Sequence, residues 1–501
     1  MSLSTAFTIA NSAFIANAAQ SAVVSQNIAN ANTPGYSKET ANVGTNAYGG
    51  VEVDTTTRDA NAALQMQVGV STSESARTQT ISTALGQLAR TVSDSSSSTS
   101  ATGATQNGGS PSAMIGNLQS ALQTLATDPS NVSAEQAVVT AASQAAGALN
   151  AGGAATQGVR ETADAGMASS VATINALLGQ YSKADAAVVN GIQSGANVSQ
   201  AQDTRDSILT QLSQQLGVTS APGSNGSLSI YTDSGVTLFE GGQPRSLTFA
   251  ATPAFTSGSS GNPVLVEGVP ITGPTSPMAI QSGALAGDAA VRDTIAPQYQ
   301  AQLDQIAGGL ISAFSESDQS ATPTQPRLPG LFTFPSATGV PSPNQATGLA
   351  ASIQVNANVD PSQGGNLSLL QNGGISQPGN PAYDYNPTGA AGFTGRIQQL
   401  VGNLSAPQAF SAAAGLGASA SLTTYASSSV GWVQGQNQQA ATQASYQGAL
   451  LTQATSALSN ATGVNMDTEL TTMLTLENSY SSTAKLLTTV QAMFTALLNA
   501  A

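Results

Sequence analysis

Ser25-Gln26-Asn27-Ile28-Ala29-Asn30-Ala31-Asn32-Thr33-Pro34-Gly35-Tyr36-Ser37 decides how this chain is organised, because a helical pattern runs up to it and not through it. Asn30 and Asn32 favour leaving the α region, Pro34 holds Thr33 extended, and Pro34-Gly35 suits the two central positions of a type II turn. The chain is expected to stop and turn here. Upstream, Leu3, Phe7, Ala10, Phe14, Ala18 and Ile28, with Ser21 and Ser25 in the intervening positions, form a heptad-like seam. So few large side chains cannot offset the entropy of ordering so long a helix, and the helix needs a partner.

The far end supplies one. Beyond Gly463, the residues Met473, Leu476, Tyr480, Thr483, Leu487, Val490, Phe494 and Leu497 alternate spacings of three and four, which is a coiled-coil seam. It is the strongest periodic signal in the chain. Leu3, Phe7, Phe14 and Ile28 are therefore expected to meet Tyr480, Leu487, Phe494 and Leu497, inside one subunit or across neighbours.

Composition narrows the function. The 501 residues can make several domains, yet only 8% are charged and 4% aromatic, so close packing of small residues must carry much of the structure. The net charge of -14 and the scattered lysines and arginines argue against nucleic acid, which needs a basic footprint. With no cysteine and no histidine, disulfides, thiolate nucleophiles, imidazole bases and the usual zinc ligands are all missing. No phosphate-cradling Gly-rich loop with a lysine is present either, so the reading is a non-enzyme without cofactor or metal. Lys38 is the first basic residue and no 18-residue apolar span exists, so neither a cleaved secretory signal nor a membrane-inserted helix is expected.

Between the ends the pattern is first helical and then mixed. Helices are expected from about Ala60 to Thr91, from Pro111 to Asp128-Pro129, from a Ser133/Gln136 capping box through Leu149, from about Ala154 to Ser194 and from Ser199 to Leu216. The serine-rich run from Ser93 to Ser110 separates the first two. Near Pro222 the period becomes alternating, with Leu228, Ile230, Val236 and Leu238 flanking a hairpin turn at Thr232-Asp233-Ser234-Gly235 and β-like runs continuing to about Gly283. Helix returns from Asp288 to Phe314, residues 321–395 are rich in Pro, Gly and Asn, and helices resume at Ile397 to Leu404 and Leu422 to Leu458.

The expected fold is α+β, elongated and multidomain. Residues 1–45 with 463–501 would form an inner terminal coiled-coil domain, and 46–220 with 286–320 and 396–462 a helical-bundle middle domain. Residues 221–285 would form a β-rich outer domain and 321–395 a β and loop outer insertion. Asp203 with Asp206, and Asp467 with Glu469, have no further clustered ligands, so helix-terminal charge and capping account for them better than a cation or acid-base pair.

Asn27-Ile28-Ala29-Asn30 followed by Thr33-Pro34-Gly35-Tyr36 resembles the N-terminal signature of bacterial flagellar rod, hook and hook-associated axial proteins. Gly463-Val464-Asn465-Met466-Asp467-Thr468-Glu469-Leu470, with Tyr480, Ala484-Lys485 and Met493-Phe494, is similar to their C-terminal signature. Asp203-Thr204-Arg205-Asp206, Gly226 to Tyr231, Gln302 to Ala307 and Leu118 to Pro129 resemble the hook-associated members at the hook-filament junction, and the helical middle favours them over rod and hook types with their β middles.

The resemblance implies a structural subunit exported through the flagellar type III secretion channel without a cleaved signal and located outside the cell. It implies self-assembly into a ring joining hook to filament. The implied partners are copies of itself, hook protein, a second junction protein, and an export chaperone at the C-terminal region. Asn27, Asn30, Pro34, Gly35 and Tyr36 would then link the inner helices to the next layer, and Leu3, Phe7, Phe14, Ile28, Met473, Leu476, Tyr480, Leu487, Val490, Phe494 and Leu497 would make assembly contacts. The alternatives are another axial protein of hook or rod type, or a surface adhesin whose Thr-, Gly- and Asn-rich insertions bind a receptor or glycan.

Overall fold

The structure, a computed structural model, describes residues 3–47, 49–94 and 109–500. Most of the serine-rich run at 93–110 lies outside the described residues. Helix α1 (Leu3–Asn30) ends at the turn, and strands β1 (Glu39–Thr45) and β2 (Val51–Arg58) pair as an antiparallel hairpin. Helices α2 (Ala62–Arg90), α3 (Pro111–Thr127), α4 (Val132–Ser194) and α5 (Ser199–Gln215) follow.

Next come two small antiparallel sheets. The first orders β3 (Val218–Pro222), β4 (Leu228–Thr232), β5 (Thr237–Glu240) and β6 (Gln243–Pro244); the second orders β7 (Leu247–Thr248), β8 (Leu265–Val266) and β9 (Val269–Pro270). The hairpin turn falls at Thr232–Gly235, with Gly235 at φ +90° and its N–H donating to Thr232 O at 2.9 Å.

Helix α6 (Ala284–Ala290) runs through a π-helical turn, Val291–Ile295, into α7 (Ala296–Ala313). Strand β10 (Phe332–Thr333), helix α8 (Leu349–Ser352), strand β11 (Gln354–Val355) and helix α9 (Leu369–Asn372) occupy the next stretch. Helix α10 (Gly395–Ser405), strands β12 (Pro407–Ala409) and β13 (Ser419–Ser421), and the long helices α11 (Leu422–Thr462) and α12 (Met466–Ala500) complete the chain. The fold is α+β, with helices dominating.

Helix α4 is the spine. It is one helix of 63 residues, about 95 Å at 1.5 Å per residue, where two were expected. Gly152 and Gly153 do not break it, because they serve packing: a Cβ on Gly152 would stand 3.1 Å from Leu303 Cδ1 of α7. Its cap also differs from the expected Ser133/Gln136 box. The Asn131 side-chain oxygen accepts from Ser133 N at 3.0 Å and Ala134 N at 3.2 Å, so the cap lies two residues earlier.

Two cores lie along this spine. Val138, Val139, Ala142 and Leu149 pack with Ile115, Leu118 and Leu122 of α3, Leu303 to Phe314 of α7, and Ile397, Leu400, Leu422 and Tyr425. Met167, Ile174, Leu178 and Tyr181 pack with Ile208 and Leu212 of α5 and with Ile230, Phe239, Val264 and Val266 of the sheets. Residues 321–395 belong to the first core, not to an outer insertion: Leu331, Phe332, Leu349, Ile353, Val355, Leu370 and Ile375 are all buried in it. Proline and glycine there permit a folded-in irregular segment whose scattered apolar residues have no readable period.

Between the cores sits Arg292, fully buried in the π turn, with its guanidinium 2.6 Å from Asp164 Oδ1 and 2.8 Å from Asp293 Oδ1. Arg160 Nε donates to Arg292 O at 3.1 Å and its guanidinium lies 4.4 Å from the Phe255 ring centroid. Nearby, Asp288 lines a groove of about 450 Å³ between α2, α4, α5 and α6, beside Gln79, Thr83, Ala163 and Gln214. Gly166 makes room for it, since a Cβ there would stand 2.5 Å from Asp288 Oδ2.

Burial raises the Asp288 carboxyl from 3.8 to about 7, against the opposing pull of Arg292. The folded state thus holds this proton more tightly than the unfolded state. The stability it contributes is full below pH of about 4 and is lost as pH rises towards the folded value of about 7. Asp288→Asn stays neutral throughout, so urea denaturation should find it more stable than the parent at pH 8, with the gap shrinking towards pH 4. A gap independent of pH would show that burial does not set this proton.

Candidate assembly site

Helices α1 and α12 pack side by side and antiparallel, as the aromatic pairs show. Phe7 meets Phe494 edge-on at 6.5 Å between ring centroids, and Phe14 lies on Tyr480 at 4.3 Å. On α1, Ala10, Ala16, Val24 and Asn27 are buried while Leu3, Phe7, Phe14 and Ile28 are half-buried. The seam therefore continues through Val24, and Ala18 and Ser25, expected in it, face outward. On α12, Leu476 and Val490 are buried, and Met473, Thr483, Leu487 and Phe494 are half-buried. Tyr480 contacts Phe14 while remaining 40% exposed. Leu497 departs from the expected seam: it is 66% exposed.

Outside the seam the pair is unusually apolar. Ile15, Leu470, Leu474, Leu486, Met493 and Leu498 are exposed, on helices that carry few charges. An apolar surface of this kind is characteristic of a contact region rather than of a solvated face.

The turn closes as its sequence demands. Tyr36 N donates to Thr33 O at 3.2 Å across Pro34-Gly35, and Gly35 takes φ +81°, the left-handed value required at the third turn position. Pro34 and Gly35 are exposed, whereas Asn30 only makes local bonds, to Gln26 O and with Thr33.

Asn27 does far more. It is 1% exposed, and its Nδ2 donates to Glu39 O at 2.8 Å and to Glu469 Oε2 at 3.0 Å. Its Oδ1 accepts from the Tyr36 hydroxyl at 2.8 Å and from Glu39 N at 2.9 Å. One amide thus joins α1, the turn, β1 and α12. Glu469, 2% exposed, also pairs with Lys38 at 3.3 Å.

The segment after the turn is tied outward residue by residue. Ser37 N donates to Asp203 Oδ2 of α5 at 3.1 Å, and Lys38 N donates to Thr462 O, the last residue of α11, at 2.8 Å. Arg58, at the end of β2, grips Asp203 at 2.6 Å and Asp206 at 2.7 Å. These two aspartates are therefore not caps, as expected from their place near a helix start; they clamp the hairpin to the body. Asp467 is not the cap of α12 either, because Asn465 Oδ1 accepts from the N–H groups of Asp467 and Thr468.

Crowding of carboxylates shows in the titration of their neighbours. Burial, then Glu39, Asp203 and Glu469, pushes the Tyr36 hydroxyl up to about 12, so it remains a donor to Asn27. Burial also raises the Glu39 carboxyl. Sequence reasoning named Asn27 and Tyr36 but missed Glu39 and Glu469 as partners of Asn27, and with them the neighbouring pairs of Lys38 with Glu469 and of Arg58 with Asp203 and Asp206. The available signal was scarcity: in a chain with 12 basic residues, Lys38 and Arg58 flank one hairpin.

Asn27→Ala leaves Glu39 N and the Tyr36 hydroxyl without their acceptor and Glu469 with Lys38 alone, and should cost about 2 to 4 kcal/mol. Asn30→Ala loses only local bonds and should cost less than about 1 kcal/mol. Chemical denaturation of the two variants checks this, and equal losses would deny Asn27 its special place.

Three family models match the chain. Residues 109–334 match the helical domain of the flagellar hook-associated protein FlgK, residues 456–500 the C-terminal model of the flagellar basal body rod FlgEFG proteins, and residues 7–36 the flagella basal body rod protein model. Among solved structures, that of the flagellar hook junction protein FlgK from Burkholderia pseudomallei matches at 25% identity with a TM-score of 0.41, covering 54% of this chain and 46% of that one. The chain thus spans less than half the length of that relative in the match. No curated protein sequence matches. With rod-type signatures at both ends of a FlgK-type helical middle, the chain is similar along most of its length to flagellar hook-associated axial proteins, and is FlgK-like.

Proposed function

We propose that the protein is a structural subunit of the bacterial flagellum that assembles into a ring and joins the hook to the filament. The observation that carries this reading is the pairing of the two chain ends into an antiparallel helix pair whose outer side remains apolar. Ile15, Leu474, Leu486 and Met493 are each about half exposed or more, and packing against neighbouring copies would take them out of water. The match to the FlgK helical domain supports the junction position over other axial positions.

In this reading the partners are copies of itself, hook protein on one side and a second junction protein on the other. An export chaperone would hold α12 before assembly, and the chain would leave through the flagellar secretion channel without a cleaved signal. No helix among the described residues is long and apolar enough to cross a membrane. Chemistry has no part in the proposed role. Among the described residues no group of three or more acidic side chains is placed to hold a metal ion.

The test is genetic. Deleting the gene in its source bacterium should leave hooks without filaments and flagellin shed into the medium, seen by electron microscopy and protein gel. Restoring the gene with Leu487→Asp and Phe494→Asp should yield a secreted or soluble monomer and still no filaments. Normal filaments on the double variant would sink the assembly role of the helix pair, and normal filaments on the deletion strain would turn attention to an adhesin-like role for the β-rich residues 221–285.

A further inference from the structure

We infer that Glu469 is the residue that fixes the register of α12 on α1. The seam itself specifies register poorly. Met473, Tyr480, Leu487 and Phe494 are seven residues apart, as are Phe7 and Phe14 on the other helix. Sliding one helix past the other by seven residues, about 10 Å along the axis, returns large apolar side chains to all four of the α12 places in one direction and to three of them in the other. Phe14 then faces Met473 or Leu487 in place of Tyr480, and the two aromatic contacts, Phe14 with Tyr480 and Phe7 with Phe494, are exchanged for aliphatic ones. The buried alanines Ala10 and Ala16 offer no knob to resist the slide.

One contact does not survive such a slide. Between residues 6–30 and 466–499, among the described residues, Asn27 to Glu469 is the one side-chain hydrogen bond from helix to helix. Its members are almost fully buried, and Asn27 is locked in place by Glu39 and Tyr36. A slide of one heptad brings Leu476 or Thr462 to the place of Glu469, and neither carries a carboxylate. It would bury Glu469 or Lys38 without its partner, which costs far more than the seam gains. The link Gly463 to Asn465 alone does not forbid the slide, because unwinding the first turn of α12 would lengthen it. Glu469 lies in that turn, with its N–H donating to Asn465 O at 3.0 Å, and so holds the turn and the register together. A polar residue in an apolar seam commonly acts in this way, giving up some stability for one arrangement.

The chain has no cysteine, so Ile15→Cys with Met493→Cys, both exposed positions, takes two nitroxide labels and no others. Double electron-electron resonance on the full-length monomer then reads the axial offset of the helices, independently of any flagellar role. The labelled parent and Glu469→Gln, which keeps an acceptor for Asn27, should give one distance. Glu469→Leu should give a second population shifted by about 10 Å, one heptad. A single parental distance in Glu469→Leu would overturn the inference, because the seam would then set register alone. Loss of any defined distance in Glu469→Leu, or a broad distribution already in the parent, would overturn it equally, since Glu469 would then supply order rather than choose a register.

Discussion

The side chain of Asn27 is the contact on which the arrangement of the chain ends depends. Its two donors and its acceptor oxygen serve α1, the turn, β1 and α12 at once, at distances of 2.8 to 3.0 Å. No apolar residue could do this, because burial is non-directional and the seam between the terminal helices is made largely of small and half-buried side chains. Directional bonds to a buried amide select one geometry among the many that such a seam tolerates. The next three residues extend the effect outward: the backbone N–H groups of Ser37, Lys38 and Glu39 go to α5, α11 and α1 respectively.

The middle of the molecule is built on another balance. Two apolar cores share α4, and the ionic knot of Arg292, Asp164 and Arg160 lies between them. A guanidinium buried this completely is tolerable only when carboxylates and carbonyls surround it. Asp164 contributes twice, accepting from Arg292 and from Thr252 N at 2.7 Å, so the sheets after α5 are fastened to the helix that carries both cores. A charge-poor chain thus places its few charges where elements from distant parts of the sequence meet: Arg58 on α5, Lys38 on α12, Arg292 on α4.

Much of this was legible from residue order, for physical reasons that also mark the limit. Heptad spacing announced α12, and Pro34-Gly35 announced the turn, because both are local constraints on one stretch of backbone. The 63-residue span of α4 was not legible, since Gly152-Gly153 reads as a break until Leu303 is known to press against it. Residues 321–395 read as an outer piece for a related reason: an irregular segment has no period by which to announce that Phe332, Ile353 and Leu370 point into a core. The partners of Asn27 and Arg58 come from positions 469, 203 and 206, and a pairing across such separations leaves no trace in local pattern.

The contrast between the ends and the middle bears on how the subunit is used. Of the α12 seam only Leu476 and Val490 are buried, whereas α4 buries residues along nearly its whole length. Local stability follows local burial, so the terminal pair belongs to the low end of the stability range and the two-core body to the high end. An apolar flank left in water by such a pair is removed from water when another molecule packs on it, and the gain accrues to the ordered state alone. Weak terminal helices joined by a polar bolt to a rigid body are therefore suited to becoming fully ordered on assembly, with their direction relative to that body already set by Asn27 and Arg58.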